Sequence, residues 1–353
     1  PIGVTDNFFE LGGHSLLVVR LMAHIQERFG QALPLMTLFQ ETTIERLASR
    51  LSHEVKSPDY AALVNIQPAG SQRPFFCVHP VGGNVLCYAG LARYLGADQP
   101  FYGLQARGLA GEDTPFTDIE AMAAHYGEAL RQMQPHGPYT LGGWSLGGII
   151  AYELARQLRQ AGEQIALLAL IDSRAPISAH KIDDDETALI VEFLADLSGT
   201  QASAQVDAAR MPLSPEELQR LAPDERLGYA LRQAKQLRLV PPDIGPEHLH
   251  QLLQVFKANA RAVLAYRPQG YPDQAILFKS AVRDSMSDPD EVDRDPTLGW
   301  GQLVGDLKMQ TIPGNHYSIL SEPNVEELAE QLRIHLEQTA GAQQKVPGQR
   351  RTT

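Results

Sequence analysis

The first fifty residues carry apolar side chains at the spacing of an amphipathic helix. Leu17, Leu21 and Ile25 stand at every fourth position within residues 15–29, which places them on one face of a helix. A shorter helical pattern follows before the chain becomes polar. The pattern predicts a small all-α domain at residues 1–52.

Residues 53–73 are mostly polar and contain several prolines and glycines, which is typical of a linker that runs into a first strand. Beyond them, short apolar runs alternate with helical periods, as in a mostly parallel sheet covered by helices on both faces. Strands are expected at Leu63–Ile66, Phe75–Val78, Phe101–Leu104, Tyr139–Leu141, Ile165–Ile171, Ala275–Ser280 and Leu307–Ile312. Helices are expected at Leu86–Leu95, Ile119–Met133, Gly147–Gln160 and Val325–Leu336.

The alternation stops at residues 176–266, where only helical patterns occur. A helical block inserted between strands is expected to form a lid over the carboxyl edge of the sheet, where such folds bind their ligands. The strand pattern then resumes, so residues 74–339 are expected to form one α/β domain. Residues 340–353 are expected to be a disordered tail.

The composition limits the classes of function. The chain has 353 residues, of which 43% are hydrophobic and 20% charged, and its formal net charge is −12. This acidity disfavours nucleic acid or an anionic membrane as the main partner, and no apolar run reaches the roughly 20 residues that span a bilayer. Cys77 and Cys87 lack metal-ligand spacing and are expected to be buried thiols in a reducing cytoplasm. Because the sequence starts at Pro1 without a methionine, we expect it to be part of a longer chain.

The segment Gly143-Trp144-Ser145-Leu146-Gly147 lies between a predicted strand and a predicted helix. Gly-x-Ser-x-Gly in this setting is the nucleophile elbow of the α/β-hydrolase fold, in which a sharp turn lifts the serine hydroxyl to the edge of the sheet. The flanking glycines avoid clashes in the turn, and the following helix N-terminus favours a developing oxyanion. The pentapeptide alone also fits an ordinary serine in a glycine-rich turn, but its setting favours Ser145 as a nucleophile.

A serine nucleophile needs a general base and an acid that orients it, in the chain order Ser, Asp or Glu, His. His316 directly follows the last predicted strand, in the sequence PGNH, and is the expected base. Asp172 ends the strand at residues 165–171 and is the expected acid, with Asp284 in a later acidic run as the alternative. The other histidines after the nucleophile are expected to be solvated: His180, His248, His250 and His335.

Two backbone N–H groups are needed to stabilise the tetrahedral oxyanion. One is expected from Leu146, directly after the nucleophile, and the other from Val81, in the loop after the strand Phe75–Val78. His79 begins that loop but precedes Ser145 in the chain, so its expected role is to hold the loop. No metal site is predicted.

A second serine, Ser15, lies in the sequence DNFFELGGHSL at residues 6–16. This segment resembles the attachment motif of peptidyl carrier domains in nonribosomal peptide synthetases. The resemblance implies that a phosphopantetheinyl transferase attaches 4′-phosphopantetheine to Ser15, and that its thiol holds a peptidyl chain. A helix N-terminus suits a phosphodiester, although an isolated serine there would be an ordinary N-cap. Such domains carry a long first helix before this motif, and we expect that helix to be missing here, because only fourteen residues precede Ser15.

Residues 60–337 resemble the terminal thioesterase of the same synthetases. The resemblance is carried by FFCVHP at residues 75–80, GGWSLGG at residues 142–148 and GNH at residues 314–316. It implies an α/β-hydrolase fold with a helical lid, which takes the peptidyl chain from the carrier and releases it by hydrolysis or macrocyclisation. It also favours Asp172 as the acid and implies upstream condensation and adenylation modules as partners.

Two other interpretations stay open from the sequence. One is a stand-alone esterase of the α/β-hydrolase class with an unrelated N-terminal helical segment, which would accept no phosphopantetheine. The other is a docking module whose hydrolase fold has lost activity, although no member of the expected triad is replaced.

Overall fold

The computed structural model describes residues 2–8, 11, 15–31, 33, 37–52, 62–109, 113–177, 186–199, 215–236, 246–282 and 295–343. Within these residues the strands form a single sheet in the order β1-β3-β2-β4-β5-β6-β7. The strands are β1 (Leu63–Gln67), β2 (Phe75–Val78), β3 (Phe101–Leu104), β4 (Tyr139–Trp144), β5 (Ile165–Ile171), β6 (Tyr271–Ser280) and β7 (Val304–Ile312). The pair β1–β3 is antiparallel and the other described pairs are parallel.

The helices surround this sheet and precede it. They are α1 (Ser15–Phe29), α2 (Thr37–Gln40), α3 (Ile44–Ser52), α4 (Ala89–Leu95), α5 (Ile119–Met133), α6 (Leu146–Gln160), α7 (Glu186–Gly199), α8 (Pro215–Gln219), α9 (Pro223–Gln236), α10 (Pro246–Ala265) and α11 (Asn324–Gln343). A 3₁₀ turn at Leu86–Tyr88 leads into α4, within the single helix that the pattern predicted.

The predicted elements are present, and the differences lie at their ends. Strands β6 and β7 begin several residues before the predicted starts. The sequence pattern did not reveal these first residues, because they are largely exposed and carry no apolar run. Helix α11 continues to Gln343 and so enters the predicted tail, whose remaining residues lie outside the described part of the chain.

The core lies on both faces of the sheet, as the side chains of β2 illustrate. Phe76 and Val78 belong to one hydrophobic cluster with residues of α5 and α6, whereas Phe75 and Cys77 belong to another with residues of α4 and α11. Alternate residues of a strand point to opposite faces, so β2 is buried on both. The predicted mostly parallel sheet with helices on both faces is confirmed.

The N-terminal helices pack against the sheet. Val18, Met22 and Leu38 are buried in the same hydrophobic cluster as Val64 of β1 and Phe75 of β2. The segment predicted as a linker contains β1, which pairs with β3 and so belongs to the sheet. The short N-terminal domain therefore buries part of its apolar surface against the α/β domain.

Helices α7, α8, α9 and α10 form the block predicted as a lid, between β5 and β6. They share a small core of their own, which includes Phe193, Leu218, Leu231 and Phe256. Helix α10 is also tied to α6, because Tyr266 Oη donates a hydrogen bond of 2.6 Å to a carboxylate oxygen of Glu153.

Candidate active site

Ser145 lies in a sharp turn between β4 and α6, at the carboxyl edge of the sheet. Its backbone angles are φ 57° and ψ −124°, which are strained for a residue with a Cβ atom. A Cβ atom on Gly147 would lie 2.2 Å from the Val78 carbonyl oxygen, and one on Gly143 would lie 2.1 Å from the Gly147 carbonyl carbon. Packing therefore requires glycine at both positions of the predicted elbow.

Asp172 leaves the sheet beside Ser145, because Trp144 pairs with Ile171 across the neighbouring parallel strands β4 and β5. Its Oδ1 atom accepts a hydrogen bond of 2.8 Å from the backbone N–H of Ser280, at the end of β6. The φ of Asp172 is 39°, a second strained backbone at this edge.

The carboxylate of Asp172 contacts the imidazole of His316. Oδ2 of Asp172 lies 2.7 Å from Nδ1 of His316. Burial tends to raise the pKa of Asp172, but the hydrogen bond and charge of His316, together with the Ser280 N–H, outweigh it and hold that pKa below its usual value. The carboxylate is therefore ionised at neutral pH and can orient the imidazole.

The imidazole of His316 is held next to the elbow by Trp144. The two ring centroids lie 5.0 Å apart at an interplanar angle of 32°, and Trp144 Nε1 donates a hydrogen bond of 3.1 Å to the His316 carbonyl oxygen. Tyr317 meets the same imidazole edge-on, with centroids 5.2 Å apart. Trp144 directly precedes Ser145, so these contacts hold the imidazole against the residue that leads into the elbow. The position of Trp144 inside the elbow motif was the only sequence signal for this role.

His79 begins the loop of residues 79–83, which we call the oxyanion loop. Its Nδ1 atom lies 2.7 Å from the Pro80 carbonyl oxygen, and its Nε2 atom lies 2.7 Å from Tyr126 Oη. Burial lowers the pKa of His79 to about 4 despite the opposing effect of the Pro80 carbonyl. A neutral ring that donates from Nδ1 and accepts at Nε2 fits both partners, and this agrees with the predicted structural role.

The middle of the oxyanion loop is held by lid helix α10. Asn259, a buried residue of α10, donates a hydrogen bond of 2.8 Å from Nδ2 to the carbonyl oxygen of Val81. Gly83 has a φ of 83°, and a Cβ atom there would lie 2.6 Å from a methyl carbon of Val255. The lid helix therefore touches the loop at two points. Sequence reasoning missed Asn259, which belongs to no local motif.

Leu146 is the first residue of α6, so its N–H lies at the positive end of the helix dipole. The start of α6 packs on the start of the oxyanion loop, since a Cβ atom on Gly147 would lie 2.9 Å from the His79 carbonyl oxygen. The backbones of Leu146 and Val81 thus belong to segments in contact, as an oxyanion hole formed by their N–H groups would require.

The remaining candidates lie away from this edge or outside the described residues. His250 is an exposed residue of α10, whereas His335 is buried on α11 against Phe278, so the expectation that His335 is solvated is wrong. Asp284, His180 and the side chain of His248 lie outside the described residues. Cys77 is a buried free thiol and Cys87 a partly buried one. Among the described side chains no cluster of His, Cys, Asp or Glu could hold a metal ion, and no described helix is long and apolar enough to cross a membrane.

Ser15 is the first residue of helix α1. The first turn of that helix contains no acidic residue, so its backbone N–H groups and dipole suit a phosphodiester on the serine. Residues 9, 10 and 12–14 of the attachment motif, and the side chains of Ser15 and Leu16, lie outside the described part of the chain.

Residues 73–335 match the family model of the thioesterase domain. The chain belongs to this thioesterase family. Residues 1–51 match the model of the phosphopantetheine attachment site, so a phosphopantetheine-binding domain precedes the thioesterase domain. This pairing confirms 4′-phosphopantetheine as the predicted cofactor and disfavours a stand-alone esterase.

The curated relatives are much longer synthetases. The chain is 32% identical over 340 residues to a dimodular nonribosomal peptide synthase of Bacillus subtilis, which covers 96% of this chain and 13% of that protein. It is 43% identical over 187 residues to an indigoidine synthase of Dickeya dadantii, covering 53% of this chain and 12% of that protein. The chain therefore spans only a small part of the length of these relatives.

The fold of this chain is similar to solved structures of a nonribosomal peptide synthetase and of a thioesterase domain. A four-domain nonribosomal peptide synthetase bound to AMP and glycine has a TM-score of 0.71 and 35% identity, over 94% of this chain and 24% of that one. The NocB thioesterase domain, in covalent complex with a fluorophosphonate nocardicin G analog, has a TM-score of 0.53 and 25% identity, over 78% of this chain and 99% of that one. The predicted α/β-hydrolase fold is confirmed.

Proposed function

We propose that this chain is the terminal thioesterase of a nonribosomal peptide synthetase, with Ser145 as nucleophile, His316 as general base and Asp172 as the residue that orients the base. The observation that carries the proposal is the 2.7 Å contact between Asp172 Oδ2 and His316 Nδ1, with the imidazole packed against Trp144 beside the strained elbow. An ionised carboxylate at Nδ1 leaves Nε2 unprotonated and able to accept the serine proton.

When attached to Ser15, phosphopantetheine supplies the thiol that carries the acyl chain as a thioester. In the acylation step Ser145 Oγ attacks the thioester carbonyl carbon while Nε2 of His316 takes the hydroxyl proton. The carbonyl electrons move to oxygen, and the N–H groups of Leu146 and Val81 stabilise the resulting oxyanion. Collapse of this intermediate breaks the C–S bond, and His316 returns the proton to the leaving sulfur.

The second step releases the acyl chain from Ser145. Water, or an amine or hydroxyl group of the same chain, gives its proton to His316 and attacks the ester carbonyl carbon. The C–O bond to Ser145 then breaks, and Oγ regains its proton from His316. Water yields a linear acid and an internal nucleophile yields a ring. Two acyl transfers replace one harder step.

Ser15 and the upstream partners complete the proposal. Ser15, at the start of α1, is the residue to which a phosphopantetheinyl transferase would attach the cofactor. Condensation and adenylation modules would supply the acyl chain, in a reducing cytoplasm that keeps Cys77 and Cys87 as thiols. The small fraction of each synthetase that the chain spans supports such modules as partners.

The test compares Ser145→Ala with the unchanged chain after both are loaded at Ser15 with an acyl-phosphopantetheine. Mass spectrometry should find equal loading of both chains, and release of the acyl group only from the unchanged chain. Persisting release by Ser145→Ala, or labelling of that variant by a fluorophosphonate, would exclude Ser145 as the nucleophile. A Ser15→Ala variant that still gains the mass of the arm would exclude Ser15 as the attachment residue.

A further inference from the structure

A carboxylate outside the proposed triad lies against the oxyanion loop. Asp196 belongs to lid helix α7, and its Oδ2 atom lies 3.2 Å from the point that a Cβ atom on Gly82 would occupy. The amide nitrogen Nδ2 of Asn84 lies 3.8 Å from the same point. Gly82 directly follows Val81, the expected oxyanion donor, so this carboxylate borders the place where the acyl carbonyl must bind.

The packing of α7 holds Asp196 in this position. Phe193, one turn earlier on the helix, is buried in the lid core, where its ring meets Phe256 of α10 with centroids 5.5 Å apart. Val81 is partly buried against the same core. Lid core and oxyanion loop are therefore one packed unit, and Asp196 lies at their junction, half-buried.

Asp196 is also close enough to His316 for their charges to interact. Burial raises the pKa of Asp196 to about 6, and the charge of His316 opposes that rise. At neutral pH the carboxylate is therefore mostly ionised. On the oxyanion side of the site this anion works against acyl transfer, because it repels the developing negative charge in a site of low dielectric. A positive charge on the acyl chain would reverse this effect.

We propose that Asp196 binds a cationic nitrogen of the acyl chain, an ammonium or guanidinium group close to the reacting carbonyl, and so selects basic acyl chains. The inference rests on the proposed function and names a substrate class for it. The cation would lie between Asp196 and the oxyanion, where it attracts both. The carboxylate then contributes to specificity and makes no covalent bond.

The test uses two acyl thioesters that differ in one group, ending in ornithine or in norleucine, whose side chains have the same length and shape. We expect the unchanged chain to prefer ornithine by at least tenfold in kcat/KM. In Asp196→Asn, an isosteric change, ornithine turnover should fall about tenfold while norleucine turnover rises two- to tenfold. Glu192→Gln is the matched control, because Glu192 is an exposed acid one turn earlier on α7, and its loss should leave the preference for ornithine in place.

Equal changes for both substrates in Asp196→Asn, or the absence of any preference in the unchanged chain, would overturn the inference. A matched pair of fluorophosphonates, one with an ammonium group and one with a methyl group in its place, separates this result from failure of the proposed function. Labelling of Ser145 by both reagents at equal rates would reject the role of Asp196 and retain Ser145 as the nucleophile. If neither reagent labelled Ser145, the result would count against both proposals.

Discussion

The residues expected to move protons and the loop expected to bind the oxyanion lie side by side, yet the chain holds them in different ways. Ser145, Asp172 and His316 follow β4, β5 and β7, and the sheet itself sets their spacing. The oxyanion loop follows β2 but is held from outside the sheet, by Asn259 of the lid. The positions of these three residues, which we call the catalytic edge, should therefore tolerate changes in the lid, whereas the position of the oxyanion loop should not.

The largest effect is expected from Asp172→Asn, which disrupts the contact between Asp172 and His316 and leaves the oxyanion loop intact. The amide would turn an N–H toward Nδ1 of His316 and favour the tautomer with a proton on Nε2, which cannot accept the serine proton. A loss of roughly 10⁴-fold in kcat is expected for such a change in a Ser-His-Asp triad. Steady-state hydrolysis of an acyl thioester measures it.

The control for that variant is Asp306→Asn, which makes the same substitution at an exposed residue of β7. It should stay within twofold of the unchanged chain. If Asp172→Asn lost less than about a hundredfold while remaining folded by circular dichroism, Asp172 would not be the orienting acid, and the acidic run that contains Asp284 would need the same test.

A smaller effect is expected from Asn259→Asp, which removes the hydrogen bond that holds the oxyanion loop and leaves the contact between Asp172 and His316 intact. The new carboxylate would face the Val81 carbonyl oxygen and repel it, so the loop should move. Removing an oxyanion donor costs roughly 10²- to 10³-fold; Asn259 acts through the loop, so we expect about 10- to 100-fold in kcat with KM within twofold. Affinity for a boronate that forms a tetrahedral adduct should fall by the same factor.

The matched control is Gln254→Glu, another change from amide to acid on α10, at an exposed position. Its activity should stay within twofold. If KM rose for Asn259→Asp while kcat stayed unchanged, the lid helix would bind the acyl chain and would not position the loop.

The same contrast explains what could be predicted from the sequence. The elbow and Asp172 each follow a strand whose apolar run is visible locally, His316 follows a strand in which apolar and polar residues alternate, and the glycines around Ser145 are fixed by close backbone contacts. Asn259 and Asp196 reach the oxyanion loop from helices far along the chain, so no local pattern identifies them. Their roles follow only from tertiary packing.

Two predictions differ from the structure, and the reasons are different. His335 was expected to be solvated, although it follows Leu332 by three positions and so shares the buried face of α11. The early parts of β6 and β7 were missed because exposed strands show no run of apolar residues; backbone pairing alone defines them. The helical periodicity of α11 identifies the buried position of His335, whereas no sequence pattern identifies the exposed first parts of β6 and β7.

A modest effect is expected from Trp144→Phe, which tests how far Trp144 positions the imidazole of His316. Phenylalanine keeps an aromatic ring beside His316 but removes the Nε1 hydrogen bond to its carbonyl oxygen. A neutral hydrogen bond contributes about 0.5–1.5 kcal/mol, so kcat should fall roughly two- to tenfold. Steady-state kinetics measures this, and an unchanged kcat would mean that Asp172 and the loop after β7 position the imidazole without Trp144.

The smallest effect concerns His79, which anchors the start of the oxyanion loop and should influence stability with pH. The pKa of His79 is about 4 in the folded chain against an ordinary value of 6.5, so between these values the unfolded chain binds a proton that the folded chain does not. Stability from this residue is complete above pH 6.5 and is lost as the pH falls toward 4. Between pH 7.5 and 4.5 the loss should be about 2 to 3 kcal/mol.

Urea unfolding of the unchanged chain and of His79→Gln at both pH values isolates this contribution, because the other titrating groups are common to the two proteins. The free energy of unfolding should fall more steeply for the unchanged chain, by the amount given above. If the two falls were parallel, His79 would be protonated in the folded chain at pH 4.5, and Nε2 could not then accept the hydrogen bond from Tyr126 that fixes the loop. The anchor of the oxyanion loop within the α/β domain would in that case have to lie elsewhere, and the lid contact through Asn259 would be its main support.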